Sequence, residues 1–306
     1  MIAKITSNLA LGRLLRISRP RFWVYVAGPF AIGVMLALRP LEYPLMHVSV
    51  VQLIFLSYFT FPANLLIYGV NDTFDYETDR LNPKKTDYEA LVTPNEHRPL
   101  GFWIGAASAP FVLALQFAPF HALLAFSAFV LLSVFYSAPP VRAKVIPVFD
   151  MLFSAGIYVS AGVFGFYLAG GQALDWSVVL AGLFWSMAMH AYSAVPDIEA
   201  DRKSGVSTIA TWLGEKKTLW CCLALYLTAA IMTLPELGGL GVVLGIVYCG
   251  MVLASLHAKQ GDGIFKLYTY FPLLNVAAGF LIFLWLSVVT RYDAITLIGE
   301  RLAAIL

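Results

Sequence analysis

The chain has 306 residues, of which 60% are hydrophobic and only 12% charged, with a mean hydropathy of +0.78. Soluble domains carry about 25% charged residues, so the composition excludes a water-soluble globule and indicates a polytopic membrane protein set among lipids. The formal net charge of +2 says nothing by itself about nucleic acid, because the basic residues are spread along the chain rather than gathered in a patch, and no nucleic-acid partner is expected.

Crossing about 30 Å of hydrocarbon takes roughly 20 apolar residues in a helix. Lys4, Arg13, Arg16, Arg19 and Arg21 come first, with no small-residue cleavage site behind a hydrophobic run, so no signal peptide is expected. Apolar runs then follow at 22–38, 48–70, 101–117, 120–138, 148–169, 176–195, 218–234, 238–256 and 267–290. They predict an all-α fold of nine transmembrane helices, with residues 1–306 forming a single integral-membrane domain. With the N-terminus in the cytoplasm, 17 of the 20 Lys and Arg residues lie on the cytoplasmic side, leaving Arg39, Arg291 and Arg301 outside. That asymmetry is the one the positive-inside rule describes, and the plasma membrane is the expected location. Cys221, Cys222 and Cys249 all fall in apolar runs without metal-ligand spacing and read as packing residues.

The second run leads into NDTFDYETD, Asn71 to Asp79. On a continuous helix Asn71, Asp72, Asp75 and Asp79 share an arc of roughly 100°, while Glu77 points away. Carboxylates crowded on one stripe repel unless a cation sits among them, and hard divalent ions such as Mg²⁺ take oxygen ligands, often one or two carboxylates with substrate phosphates. A matching stretch, PDIEAD, ends the sixth run and puts Asp197 and Asp201 on one face with Glu199 turned away. The two stripes end helices four apart and so emerge on the same, cytoplasmic side. That implies a 4+4+1 arrangement in which helices 1–4 and 5–8 are parallel pseudo-repeats and the stripes face each other.

Basic residues accompany them. YSAPPVRAK carries Tyr136, Arg142 and Lys144, and the loop after helix 2 carries Lys84, Lys85 and Arg98. Guanidinium and ammonium groups beside a bound metal suit a diphosphate. Arg13, Arg16, Lys216 and Lys217 read instead as topology and head-group contacts. Asn64, Gln116, His121, His190 and Asn275 lie within apolar runs, where an interhelical hydrogen bond is the ordinary role. His190 and Tyr192 precede Asp197 by one to two turns and are candidates for lining a substrate pocket. Asp150 opens helix 5, as a cap or as a pocket residue. Phe22, Trp23, Tyr25, Tyr68 and Tyr158 are candidate pocket walls for a cationic intermediate.

These motifs resemble those of the UbiA superfamily of intramembrane prenyltransferases. NDTFDYETD fits the family's NDxxDxxxD, DIEAD its DxxxD, and YSAPPVRAK its Tyr–Arg–Lys segment. The resemblance implies that Asn71, Asp72, Asp75, Asp79, Asp197 and Asp201 hold two Mg²⁺ ions against an allylic diphosphate. It further implies that Arg142 and Lys144 contact that diphosphate from the opposite side, and that Tyr136 sits near the departing oxygen. Within the superfamily SRPRFWVYVAGPF, PANLLIYGVNDTFDYETDRLNPKK and HAYSAVPDIEADRKSG are most similar to lycopene elongases. The expected chemistry is Mg-dependent ionisation of dimethylallyl diphosphate and attack on the allylic cation by the end of a lipophilic polyene. Two alternatives stand beside it. An aromatic-acceptor prenyltransferase would need polar groups to orient a ring, and an ion-coupled transporter would place its acids nearer the membrane midplane.

Overall fold

The computed structural model describes residues 9–39, 44–80, 90–258 and 262–289. Among them, nine helices are long and apolar enough to cross a membrane: α1 (Pro20–Leu38), α2 (Val50–Phe74), α3 (Pro94–Phe117), α4 (Phe120–Ser137), α5 (Phe149–Leu168), α6 (Trp176–Lys203), α7 (Glu215–Leu237), α8 (Gly239–His257) and α9 (Ile264–Ser287). Each overlaps one of the runs read from the sequence.

Local chemistry sets their ends and breaks. Ser49 caps α2 reciprocally: its hydroxyl accepts from the Gln52 N–H at 3.3 Å, and the Gln52 side chain accepts from the Ser49 N–H at 2.9 Å. Pro62 brings no backbone donor, and α2 breaks just before it at Phe59–Thr60. The Asn64 amide donates to the Phe59 and Thr60 carbonyls at 3.1 and 2.6 Å, satisfying oxygens that hydrocarbon would leave bare.

Helices α1 and α5 cross at the centre. Gly33 and Gly162, each 13 residues past the start of its helix, meet there with no room for a side chain on Gly33, whose Cβ would overlap the Gly162 carbonyl. Small residues at such a crossing let two backbones pack in lipid, where no hydrophobic force drives helices together. The like placement of the two glycines fits the pseudo-repeat expected from the spacing of the acidic stripes. One core cluster gathers Phe30, Phe55, Phe59, Phe126, Phe129 and Phe164 from α1, α2, α4 and α5, and another gathers Tyr192, Cys222, Tyr226, Tyr248 and Phe271 from α6–α9. At one end of the bundle, Arg39 after α1 pairs with Glu236 near the end of α7. The acidic motifs lie at the other end.

Between α1 and α5–α9 runs a cavity of about 600 Å³, walled largely by apolar side chains. Its floor lies towards the acidic motifs, at Tyr25, Tyr158 and Met189, and its far end reaches Glu236.

Candidate active site

Neither acidic stripe is the continuous helix that its spacing predicts. The α2 helix closes at Phe74, Asp75 takes φ −107° and ψ 3°, and a separate helical turn spans Tyr76–Asp79. Helix α6 likewise tightens to a 3₁₀ turn over Val195–Asp197, with Asp197 at φ −95° and ψ 0°, before resuming at Ile198–Lys203. Both aspartates occupy the sparsely populated bridge region where many active-site residues sit. Pro196 supplies a local cause in α6, because its ring and missing N–H disfavour a continuous α-ladder.

Cations neutralise the first stripe. Arg19 donates to Asp72 at 2.8 Å, and its guanidinium carbon lies 4.5 Å from the Tyr68 ring centre. Asp72 is almost wholly buried at 1% exposure, so its charge depends on such a partner. Arg142 donates to one oxygen of Asp75 at 3.3 Å, and the Lys144 ammonium donates to the other. Burial lowers the Lys144 pKa from its ordinary value; Asp75 and Asp79 oppose that shift, and Arg142 adds to it. Asn71 donates to the Ser137 hydroxyl at 3.1 Å, fixing α2 to the end of α4. Arg19 and Arg142 both have positive φ, 51° and 46°, a conformation that costs a side-chain-bearing residue about 1–3 kcal/mol. The fold thus spends strain to aim two guanidinium groups at the stripe.

Tyr136 is the penultimate residue of α4. Its ring meets His190 edge to face at 6.3 Å, and His190 Nε2 lies 3.5 Å from Asp150. The other expected residues are placed less centrally. Tyr192 is fully buried, with its hydroxyl 2.9 Å from that of Ser255, so it packs α6 against α8 and does not line the cavity. Arg98 is exposed at the start of α3. Lys84 and Lys85 lie outside the described residues. Of the aromatic wall candidates, Tyr25 and Tyr158 line the cavity. Phe22 packs on Tyr68, with ring centres 5.9 Å apart, and the Trp23 indole donates to Ser18.

Sequence reasoning missed Arg19, which it counted only as a topological charge. The available signal was its position beside Pro20 at the mouth of α1, where the chain must turn sharply. Arg13, read as a head-group contact, instead grips both oxygens of Glu96 at 3.0 and 3.1 Å and the Leu91 carbonyl at 2.5 Å, pinning the short helix Leu11–Ile17 to the start of α3 and the segment before it.

A cluster of carboxylates and basic groups at one end of an apolar intramembrane chamber defines a class of membrane-embedded enzymes that hold a charged head group at the interface and its greasy part within the bundle. The model of the UbiA prenyltransferase family matches residues 26–270. The lycopene elongase/hydratase of Haloarcula japonica is 38% identical over 278 residues, 90% of this chain and 92% of that protein; the one from Haloferax volcanii is 39% identical over 87% of this chain and 85% of that protein. Among solved structures, a UbiA homologue from Archaeoglobus fulgidus bound to GPP and Mg²⁺ has the same fold, with a TM-score of 0.65 at 22% identity, covering 88% of this chain and 99% of that one. The chain belongs to the UbiA prenyltransferase family: it is an integral membrane prenyltransferase.

Proposed function

We propose that this enzyme transfers a dimethylallyl group from its diphosphate to the ends of lycopene or a closely similar polyene. The observation that carries the reading is the pairing of Asp75 with Arg142 and Lys144 at the acidic end of a bundle that encloses a large apolar cavity. The curated relatives named above act, by their names, on lycopene, and they match nearly the whole chain. Several polar groups of the cavity are engaged with protein partners, although the Tyr226 hydroxyl, which also lines it, has none among the described residues. Tyr248 donates to Asn275 at 2.9 Å, Asn275 donates to Tyr25 at 3.3 Å, and Glu236 is paired with Arg39. An aromatic acceptor would need such groups to orient its ring, whereas a hydrocarbon does not.

The donor set suits Mg²⁺, being made only of carboxylate and amide oxygens from Asn71, Asp72, Asp75, Asp79, Asp197 and Asp201. Among the described residues, no three His, Cys, Asp or Glu side chains form a metal cluster by themselves. Ligation would therefore be completed by phosphate oxygens, as is usual for this ion at phosphate sites. When bound, Mg²⁺ would offset the negative charge that builds on the leaving diphosphate; two ions are proposed. Arg142 and Lys144 would turn from Asp75 to the phosphates, gripping them bidentately and as a point charge respectively. Arg19 holds Asp72 in place. The C–O bond breaks, and the allylic cation forms at the cavity floor, which the aromatic rings of Tyr25 and Tyr158 line and where apolar walls keep out bulk water. The terminal double bond of the polyene donates its electron pair to the allylic carbon, leaving a tertiary cation on the acceptor. The motifs would face the cytoplasm across the plasma membrane.

The test is incubation of membranes with labelled dimethylallyl diphosphate and either lycopene or a phenolic acceptor. Label entering the polyene supports the proposal, and label entering only the phenol defeats it.

A further inference from the structure

The proposed transfer leaves a tertiary cation that must be quenched, and a pair of side chains on α5 and α6, Asp150 buried and His190 partly exposed, has no part in the steps so far. Asp150 is fully buried at 0% exposure. Its Oδ2 accepts the Ile209 N–H at 2.8 Å and faces His190 Nε2 at 3.5 Å, while among the described residues Oδ1 has no hydrogen-bond partner. A bare buried carboxylate oxygen is costly, and a water is the usual remedy at a polar buried site.

Helical spacing places the pair beyond residues that line the cavity, whose lining includes neither of the two. On α6, Ser186 lines the cavity, and His190 follows four residues later on the same face; Asp197 lies two turns further along that stripe. On α5, Tyr158 lines the cavity, Ser154 lies one turn before it, and Asp150 one turn before that. The Tyr136 ring, edge-on to His190, closes the third side. A proton on His190 Nε2 would face the Asp150 carboxylate and leave Nδ1 as the proton acceptor.

We propose that His190 is the base that delivers water to the acceptor cation, with Asp150 as its positioning residue; the tertiary alcohol that results is the kind of product that the word hydratase in the relatives' names describes. This rests on the polyene reading above. In the step, a lone pair of water forms the C–O bond to the tertiary carbon, one water proton passes to His190 Nδ1, and the imidazolium is stabilised by Asp150. The proton then leaves to solvent, and no oxidant or reductant is needed. Without the base, the cation loses a proton from an adjacent carbon and yields an alkene one water lighter.

The competing role for the pair is structural, since Asp150 also anchors the segment after Asp201 through Ile209. The two roles separate in the product ratio. Purified wild type, His190→Gln and His190→Asn are incubated with Mg²⁺, dimethylallyl diphosphate and lycopene, in water enriched in heavy oxygen. Hydrated and dehydrated products are then counted by mass spectrometry as fractions of total turnover. The proposal expects labelled alcohol from wild type and at least a tenfold fall in the alcohol-to-alkene ratio for both variants, whatever their total rates. A structural role would lower the total and leave the ratio unchanged, which overturns the assignment, as would alkene as the main wild-type product. Transfer by wild type to a phenol but not to lycopene overturns the acceptor reading itself, and this proposal with it.

Discussion

The crossing of α1 and α5 offers a graded test of how closely the site depends on helix packing. A methyl group at Gly33 would overlap the Gly162 carbonyl oxygen, which is backbone and can yield only if the helices part. Restoring an ordinary contact of roughly 3.5 Å requires a separation of about 1 Å or more. Overpacking of that kind costs about 1–3 kcal/mol, and a displacement of about 1 Å at a reacting geometry costs about 100-fold in rate. The same helices carry the residues at risk, because Arg19 leads into α1 and Asp150 opens α5. Gly162→Ala is milder, since its Cβ would lie 3.2 Å from the Pro29 carbonyl oxygen. Gly105→Ala on α3 meets nothing within 4 Å and should gain about 0.5–1 kcal/mol from lower backbone entropy in the unfolded chain. Thermal unfolding in detergent, followed with prenyl transfer, should rank the three Gly105→Ala, Gly162→Ala, Gly33→Ala, from most to least stable and active. A Gly33→Ala variant that melts and turns over like wild type would refute the reasoning.

The remaining predictions use charge. Arg142→Ala and Lys144→Ala should each lower kcat/KM by at least about 100-fold, with KM rising for the diphosphate and not for the acceptor; steady-state kinetics varying each substrate in turn checks this. Arg19→Ala should cost a similar factor by releasing Asp72, and Arg19→Lys should recover only part of it, because Lys lacks the planar fork. Either Arg39→Glu or Glu236→Arg should cost about 1–2 kcal/mol, between exposed and buried pairs, and the charge-swapped double variant should regain it in a double-mutant melting cycle. Arg13→Ala removes three hydrogen bonds to Glu96 and Leu91 and should cost about 1–3 kcal/mol in the same assay.

The membrane helices were legible because a bilayer demands apolar length, and each of the nine runs meets that demand. The acidic motifs were legible because carboxylates are rare in such a chain. Their detailed shape was not: period alone cannot reveal that the backbone kinks at Asp75 and Asp197, since both kinks preserve the stripe roughly while altering ψ. Tyr192 was placed by its nearness in sequence to Asp197, but a helix has several faces, and this one turns towards Ser255. The role of Arg19 and the pairing of Asp150 with His190, each singled out separately in the sequence, escaped for a common reason. Each depends on contact between helices distant in sequence, with Asp72 53 residues from Arg19 and His190 on a different helix from Asp150.

Prenyl transfer is expected to need both acidic motifs, acting together on one allylic diphosphate. Labelled dimethylallyl diphosphate and lycopene should be given to wild type, Asp75→Ala and Asp197→Ala, each shown to be folded, with and without Mg²⁺. The expected result is transfer by wild type only when Mg²⁺ is present and none by either variant, so that removing either motif has the effect of removing both. Near-normal transfer by Asp197→Ala, or by wild type after complete chelation of divalent ions, would contradict it.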